Sequence, residues 1–534
     1  MEIATDELIA GLLSPKAYPW QPASVELIET HVSLVFLAGD RVVKIKRPVA
    51  YPFVDFRELD TRRQSCEDEV RLNRRLTDGV YLDVVPIVRT KDGLHAGGVG
   101  EPLEWATLMR RLPSAGMLDA LLRSGSVPPG LGRRLAKRLV PFHRDLSPVC
   151  GVGADVVSAA TRVVTDNLEE LAPFAGTFRG SAQFDLIATA VRGFISNHGA
   201  LLQARAAEGW IREGHGDLRC EHICLEPPDE VQIFDCVEFN RDLRCADVAS
   251  DLAFLLMDLT RFGAEDAGAA LLVAYRDAAI PLPDVLLRYY WAHRALVRAK
   301  VACLKLKSVD TEATALAVKA ADYVDLAATA ALTVRPMLIM MTGLSGTGKS
   351  TVARRLARAL GAPLFVSDVV RKELAGAGGA APAAWQEGIY DPGWTQATYA
   401  HLFALAEAQL ARGVPVILDA AFLATEQRRG AAAVAARCDV PLVVVETVCD
   451  EETVAARLAA RANEGTSPSD ATLATYQRQR AAVTGAPPLV PGGALAVRVD
   501  TSGEIPNSLD SVWTVLRKAE LVFPVIPSSP VYKS

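Results

Sequence analysis

The sequence predicts two folds in succession: an α+β fold of two lobes over residues 1–332, and an α/β fold with a parallel sheet over residues 336–505. Three observations support this division. A β-rich segment near the N-terminus is followed by long stretches of helical periodicity. An apolar strand then leads into a glycine-rich turn and a helix, and further apolar strands alternate with helices after it. Residues 506–534 predict one more helix and a poorly ordered tail.

Length and composition fit a globular protein. The chain has 534 residues, of which 50% are hydrophobic and 22% charged, and it is too long for a single core. Its net charge of −6 gives no general attraction to nucleic acid or anionic membranes. No apolar run approaches membrane-spanning length, and the N-terminus lacks the pattern of a signal peptide. We therefore expect a cytoplasmic protein without a membrane partner.

The most specific motif is a glycine-rich turn after an apolar run. The residues that complete the pattern GxxxxGKS and its continuation are Gly343, Leu344, Ser345, Gly346, Thr347, Gly348, Lys349, Ser350 and Thr351. In this pattern backbone N–H groups bind phosphate oxygens, the lysine reaches the β- and γ-phosphates, and the serine hydroxyl holds Mg²⁺. The positive end of the following helix faces the same anion. The motif predicts an ATP site.

Two further strands of the second half end near carboxylates, Asp368 and Asp419. Ligands of open parallel sheets bind at the carboxyl edge of the strands. We therefore expect Asp419 to order the Mg²⁺ shell and Asp368 to accept the proton of an acceptor hydroxyl. Arg371, one helical turn beyond Asp368, would bind that acceptor. Asp368 also fits a helix N-cap, and both interpretations can hold at once.

Arg457 and Arg461 share one face of a predicted helix that precedes a polar loop. Arginines on a mobile flap can neutralise a transferring phosphoryl group, so we interpret this segment as a lid. The alternative is that both are solvated helix charges.

The first half contains a lysine and a glutamate in an order that protein kinases use to orient ATP phosphates. Residues 33–46 predict a β-hairpin with Lys44 on its second strand, and the helical periodicity of residues 59–76 places Glu69 among apolar positions. On its own the pair is equally consistent with ordinary surface residues. Residues 104–112 could link the two lobes.

A second informative segment of the first half contains the motif HGDLR, in which Asp217 is the acid. His222 follows, and a β-rich run then ends on Asp235. In kinases, one loop aspartate accepts the proton of the substrate hydroxyl and a later aspartate binds Mg²⁺. This segment therefore suits phosphoryl transfer.

Together, HGDLR, the run IFD and the later motif DVASDLAFL resemble the aminoglycoside phosphotransferase family, which has a protein-kinase-like fold. The resemblance implies ATP-dependent phosphorylation of a small-molecule hydroxyl. It implies Asp217 as the base and Asp235 as a metal ligand. It also implies that Lys44 binds the phosphates, with Glu69 as its partner.

One position departs from that family, because His222 stands where the family has a metal-binding asparagine. Imidazole nitrogen is a poor ligand for Mg²⁺ but a better one for borderline metals, so Mn²⁺ is a second candidate. Otherwise Glu221 or Glu238 supplies the oxygen, a single metal suffices, or this half is catalytically weak.

Tyr290, Arg294 and Arg298 share one face of a helix predicted over residues 286–306. If this face lines the cleft, it favours an anionic or neutral polyol as the acceptor. A solvated helix face is equally consistent with the pattern.

The second half resembles another group of kinases. The set GLSGTGKST, SDVVRK, LDAAF and RLAAR is similar to P-loop kinases such as gluconate kinase, chloramphenicol phosphotransferase, zeta toxin and the kinase half of polynucleotide kinase. The tandem order resembles bacterial bifunctional phosphotransferase/ATP-binding proteins. These resemblances imply a P-loop NTPase domain after a protein-kinase-like domain, two Mg·ATP sites and a small-molecule hydroxyl acceptor.

Two other functions stay open. The first half could be a non-catalytic ligand-binding module that regulates a P-loop ATPase or a toxin-like kinase. His222 favours this alternative, whereas the presence of both Asp217 and Asp235 opposes it. The chain could also be a nucleic-acid 5′-hydroxyl kinase, which the balanced charge of the second half and the lack of a basic and aromatic stripe oppose.

Overall fold

The structure is a computed structural model, and the residues it describes are 3–51, 54–149, 155–178, 181–227, 229–306, 313–376, 391–464, 471–483, 492–503 and 509–525. The chain divides into two compact units: Met1–Val157 with Gly199–Trp291, and Ser158–His198 with Ala292–Ser534. Helices of the predicted first domain thus belong to the second unit, and the predicted boundary at 332–336 stays a prediction. Most of the polar loop predicted after Arg461 lies outside the described residues, which stop at 464 and resume at 471.

A six-stranded antiparallel sheet opens the first unit, in the order β1-β2-β3-β8-β6-β7. The strands in this part of the chain are β1 (Val25–Glu29), β2 (Ser33–Ala38), β3 (Arg41–Lys46), β4 (Ala50–Tyr51), β5 (Val54–Asp55), β6 (Tyr81–Thr90), β7 (Gly93–Ala96) and β8 (Pro102–Arg110). Strands β4 and β5 pair separately. Helix α1 (Thr5–Leu12) packs against the apolar side chains of this sheet, and α2 (Leu59–Asn73) carries Val70 into a cluster with Val42.

The hairpin predicted over residues 33–46 is confirmed, since β2 and β3 pair in antiparallel register. Gly39 turns the chain between them with φ 70°, a left-handed conformation that glycine adopts without strain. The prediction that residues 104–112 link the lobes is wrong. They lie largely in β8, an inner strand between β3 and β6.

The rest of the first half is mostly helical. Its helices are α3 (Leu118–Arg123), α4 (Leu131–Asp145), α5 (Val156–Leu171), α6 (Ser181–Ala207), α7 (Arg241–Arg244), α8 (Val248–Arg261), α9 (Glu265–Asp277) and α10 (Asp284–Leu306). Two short antiparallel pairs lie among them, β9 (Ile211–Glu213) with β12 (Cys245–Asp247), and β10 (Ile223–Glu226) with β11 (Glu230–Ile233). These pairs hold the loops that carry Asp217 and Asp235. This half therefore has the predicted α+β class, an antiparallel sheet followed by a mostly helical part.

A five-stranded parallel sheet forms the centre of the second unit, in the order β15-β16-β14-β17-β18. The elements from residue 313 onward are α11 (Ala313–Ala331), β13 (Leu332–Val334), β14 (Leu338–Thr342), α12 (Lys349–Leu360), β15 (Leu364–Val366), α13 (Ser367–Leu374), α14 (Pro392–Leu410), β16 (Val416–Asp419), α15 (Thr425–Arg437), β17 (Leu442–Val448), α16 (Glu451–Glu464), α17 (Leu473–Val483), β18 (Leu495–Asp500), α18 (Asp510–Lys518) and β19 (Val522–Pro524). Strand β14 is buried along its whole length, as expected of a central parallel strand.

Segments distant in the chain close the second unit. Gln183 in α6 donates to Asp325 in α11 at 3.0 Å, and the Ala182 N–H donates to Asp510 in α18 at 2.8 Å. Strand β19 pairs with β13, so the expectation of a poorly ordered tail from Phe523 onward is wrong for Phe523 and Pro524. The tail beyond residue 525 lies outside the described residues. Within the described ranges, no helix is long and apolar enough to cross a membrane.

Candidate active sites

The glycine-rich turn between β14 and α12, residues 343–350, is called the P-loop below. Gly343, Gly346 and Gly348 have φ angles of 136°, 83° and 82°. A Cβ on Gly343 would lie 2.5 Å from the carbonyl oxygen of Thr447, and one on Gly346 would lie 2.9 Å from Val454 Cγ1. Both the backbone conformation and the neighbouring atoms therefore require glycine. The loop encloses a concave backbone surface suited to phosphate.

Lys349 begins α12 and is half-buried, and its Nζ donates to the Leu344 carbonyl at 2.7 Å. Burial lowers the pKa of Lys349. The negative charges of Asp419 and Asp368 oppose this shift, and the positive charge of Arg461 adds to it. The structure thus gathers these predicted site residues within electrostatic reach of Lys349.

Asp419 ends β16, next to β14 in the sheet, and its side chain is almost fully buried. Burial raises the pKa of Asp419, while Lys349 and a hydrogen bond with the Ser350 hydroxyl lower it. Its Oδ2 atom has no hydrogen-bond partner within the described parts of the chain. An unpaired buried carboxylate oxygen beside a serine hydroxyl matches the oxygen ligands that Mg²⁺ prefers. Ser350 and Asp419 therefore fit the predicted metal site.

Asp368 and Arg371 lie one turn apart at the start of α13. The Arg371 Nη1 donates to Asp368 Oδ1 at 3.3 Å, and Arg371 is buried. The residue in the N-cap position of α13 is Val366, so the N-cap interpretation of Asp368 is wrong. No sequence pattern indicated Tyr399 as part of this site. Burial raises the pKa of Tyr399 to about 12, and the charges of Asp368, Arg371 and Asp419 act on the same hydroxyl group.

The two arginines of α16 differ in their surroundings. Arg457 donates to the backbone oxygen of Thr501 at 2.6 Å and to the Thr501 hydroxyl at 3.1 Å. The Thr501 hydroxyl donates in turn to the carbonyl of Thr347 in the P-loop at 2.9 Å. Arg457 thus braces the loop, and the predicted role of Arg457 and Arg461 in neutralising phosphate stays a prediction. No local sequence pattern indicates the role of Thr501.

In the first unit, the predicted kinase pair is present. Lys44 Nζ lies 2.6 Å from Glu69 Oε1 and 2.6 Å from Asp235 Oδ1. Burial raises the pKa of Asp235, but the charges of Lys44, His222 and Lys46 and the hydrogen bond with Lys44 together lower it more, so the pKa lies well below the usual range for aspartate. Asp235 has a φ of 64°, which is rare for a residue with a side chain. Lys44 therefore occupies the carboxylate that was predicted to bind metal.

A second lysine shares this cluster. Lys46 is almost completely buried and lies 2.8 Å from Glu69 Oε2, and it also pairs with Glu238. Glu238 is thereby tied to a cation, which argues against Glu238 as the replacement metal ligand. Glu221 pairs with Arg219 and lies 3.7 Å from His222 Nε2.

Asp217, the predicted base, is engaged by an arginine that the sequence reasoning did not single out. Arg219 donates to both carboxylate oxygens of Asp217, at 2.9 Å and 2.8 Å.

His222 Nε2 lies 3.5 Å from Asp235 Oδ2, so the structure brings His222 to the predicted metal position. Its nitrogen does not fit Mg²⁺. The backbone N–H groups of His215 and Gly216 donate to Asp251, which explains the motif DVASDLAFL.

The three residues proposed for the acceptor in α10 are in different environments. Arg294 is buried, the guanidinium of Arg298 lies 5.9 Å from the ring centroid of Tyr323 in α11, and the ring of Tyr290 lies 4.9 Å from that of Tyr289. Their substrate-binding role stays a prediction.

Comparison with known proteins agrees with this geometry. Residues 338–486 match the family described as AAA domain. The uncharacterized protein Rv2004c of Mycobacterium tuberculosis is 33% identical over 505 residues, which are 93% of this chain and 96% of the relative. The uncharacterized protein Mb2027c of Mycobacterium bovis matches to the same extent.

Two solved structures match one part of the chain each. A gluconokinase from Sinorhizobium meliloti is 19% identical with a TM-score of 0.26, covering 34% of this chain and 93% of its own. Aminoglycoside 2'-phosphotransferase-IIIa, in its GDP complex, is 16% identical with a TM-score of 0.35, covering 59% of this chain and 99% of its own.

The folds and sites define a tandem protein in which a kinase-like half precedes a P-loop kinase-like half. The chain belongs to the family of the mycobacterial proteins Rv2004c and Mb2027c. The match of residues 338–486 to the AAA domain family agrees with the P-loop domain that the sequence predicted there.

The unpaired Asp419 Oδ2 leads to a prediction about stability. Since burial raises the pKa of Asp419, its ionised form costs stability at neutral pH, and that cost disappears as the pH falls through the raised pKa. Asp419→Asn should stabilise the nucleotide-free protein at pH 7 by about 1 kcal/mol, and by less near pH 4. It should also abolish the part of the ATP-induced rise in melting temperature that depends on Mg²⁺.

Thermal unfolding at both pH values, with ATP and with or without Mg²⁺, measures this. Asp322→Asn, at a partly exposed carboxylate paired with Arg358, is the control. A loss of stability at pH 7 in Asp419→Asn would contradict the assignment.

Proposed function

We propose that this protein is an ATP-dependent phosphotransferase that moves the γ-phosphate of ATP to a hydroxyl group of a small molecule, with the P-loop half as the main catalyst. The observation that carries the proposal is the gathering of Lys349, Asp419 and Asp368 around the P-loop. An ATP-binding loop, a metal-binding carboxylate and a further carboxylate at the same sheet edge are the parts that phosphoryl transfer needs. Sugars, polyols and antibiotic-like alcohols are the acceptor classes. A cytoplasmic location belongs to the same proposal.

The residues divide the work as follows. The P-loop N–H groups and Lys349 hold and neutralise the phosphates, and Arg461 adds positive charge on the same side. Asp368 orients the acceptor hydroxyl and takes its proton as the oxygen attacks the γ-phosphorus and the bond to ADP breaks. Arg371 holds Asp368 and the acceptor together. Mg²⁺, held by Ser350 and Asp419, would neutralise the phosphate charge.

Lys349→Ala tests the P-loop assignment. Removal of one preorganised cation from developing phosphate charge should lower ATP turnover at least about a hundredfold. Lys518→Ala, at an exposed lysine of α18, should leave turnover unchanged. The measurement is release of ADP and of labelled product from γ-labelled ATP with a panel of sugars, aminoglycosides, nucleosides and oligonucleotides. Equal turnover by the Lys349→Ala variant and the unaltered chain would contradict the proposal.

Asp368→Asn tests the acceptor assignment. Asparagine keeps the shape but cannot take a proton, so kcat should fall about 10²- to 10⁴-fold, while ATP affinity stays nearly unchanged. Titration calorimetry with ATP and steady-state kinetics separate the two effects. A parallel loss of ATP binding would show that Asp368 serves the nucleotide instead.

The first half has a second candidate function, that of a non-catalytic module that regulates the P-loop half. The bidentate pairing of Asp217 with Arg219 favours it, since a base held by a guanidinium is less basic. The alternative within our main proposal is a second catalytic site. In that site Lys44 would move from Asp235 to the phosphates, while Lys46 keeps Glu69 in place.

A residual activity test decides between them. In a Lys349→Ala background, Asp217→Asn should abolish the remaining phosphoryl transfer if the first half is a catalyst. Because imidazole suits Mn²⁺ better than Mg²⁺, that residual transfer should be relatively faster with Mn²⁺, and His222→Asn should shift the preference towards Mg²⁺. Residual transfer that survives Asp217→Asn would establish the regulatory module instead.

A further inference from the structure

The outer part of the P-loop is covered by the helix pair α16 and α17. Val454 and Leu458 of α16 and Tyr476 of α17 form an apolar cluster against which Leu344 of the P-loop packs. A Cβ on Gly346 would lie 2.9 Å from Val454 and 3.1 Å from Leu458. Helix pair and loop are thus in van der Waals contact, and neither can shift without the other.

A single peptide group connects this helix pair to the catalytic lysine. The Ser345 N–H donates to Oε1 of Gln479 in α17 at 2.9 Å. The carbonyl of the same peptide, that of Leu344, accepts from Lys349 Nζ at 2.7 Å and from the Thr347 hydroxyl at 2.8 Å. Gln479 is buried, with 6% of its surface exposed. The chain of contacts therefore runs from α17 through one peptide to the ammonium group.

The planarity of the Leu344–Ser345 peptide group couples the hydrogen bonds at its two ends. The peptide group is rigid and trans, so its N–H and C=O point in opposite directions and rotate together. A partner fixed at the N–H end therefore sets where the carbonyl points, and the carbonyl sets where the ammonium group of Lys349 rests. Polarisation through the peptide strengthens both hydrogen bonds.

We propose that Gln479 is the positioning residue of Lys349: by holding the Leu344–Ser345 peptide it aims the ammonium group at the phosphates, and the α16–α17 pair thereby controls whether the P-loop is competent to bind ATP. This inference rests on the proposed ATP site but not on phosphoryl transfer. It extends the site to a residue that contacts neither phosphate nor metal.

The test measures Mg·ATP binding to the full chain by titration calorimetry. The component of binding that Lys349→Ala removes belongs to the P-loop. Gln479→Met keeps the length of the side chain but loses the acceptor, so the P-loop component should weaken about two- to tenfold, the value of one hydrogen bond. Gln479→Glu keeps the acceptor and should retain affinity within about twofold at pH 7.

Rescue by an acceptor separates positioning from packing. Gln479→Met and Gln479→Glu both keep the length of the side chain, but only glutamate can accept from the Ser345 N–H, so a purely structural role would make the two variants equally weak. Gln427→Met, which removes a glutamine acceptor from the Ala424 N–H at the start of α15, should leave the affinity unchanged.

Each result has one meaning. Unchanged affinity in Gln479→Met, or equal damage in Gln479→Met and Gln479→Glu, overturns the inference. If Gln479→Met does not fold by circular dichroism, Gln479→Asn takes its place, because its amide is one methylene too short to reach the Ser345 N–H, and unchanged affinity in Gln479→Asn overturns the inference. ATP binding without phosphoryl transfer in the unaltered chain would refute the proposed function alone, whereas absence of any Lys349-dependent binding refutes both.

Discussion

Burial of incompletely compensated charge is the constraint on which the P-loop half depends. Asp419 is almost fully buried and Lys349 is half-buried at the carboxyl edge of the sheet, and burial shifts the pKa of each so that its neutral form is favoured. Each disfavoured charge would be compensated by a ligand of opposite sign, phosphate for the lysine and a metal ion for the aspartate. The central strand β14 imposes this, because Lys349 follows it through the P-loop and Asp419 ends the neighbouring strand. The uncompensated charges lower the stability of the ligand-free protein, and binding of ligands of opposite charge would restore it.

The kinase-like half solves the same problem differently. Its cations and anions, which are buried or half-buried, compensate one another, since Lys44 bridges Glu69 and Asp235, and Arg219 neutralises Asp217. A nucleotide would have to exchange these ion pairs for its own contacts rather than complete a deficient site. Under the proposed function, the two halves would therefore differ in how much of the nucleotide's binding energy goes to rearrangement of the protein.

The parts of the site that the sequence predicted are those with local signals. The P-loop, Asp368 and Asp419 each follow an apolar strand directly, so their position at the sheet edge follows from periodicity and topology. Sequence patterns did not predict Gln479, Thr501 and Arg219, because these residues act through tertiary contacts that no local pattern reveals. Arg457 shows the limit of pattern reasoning, since a helical face is the same whether its arginine meets solvent or, as here, the backbone of Thr501. Residues 104–112 were interpreted as a link between lobes because the alternation of apolar and polar residues in β8 is too weak to predict a strand.

The contacts of α6 with α11 and α18 have a consequence for biosynthesis. Residues 181–198 are translated long before Asp325 and Asp510, the acceptors that Gln183 and the Ala182 N–H require. Chain closure over such separations is slow. The two hydrogen bonds that hold the start of α6 can therefore form only after α18 has been synthesised, and the second unit cannot complete its packing while the chain is still growing towards that helix.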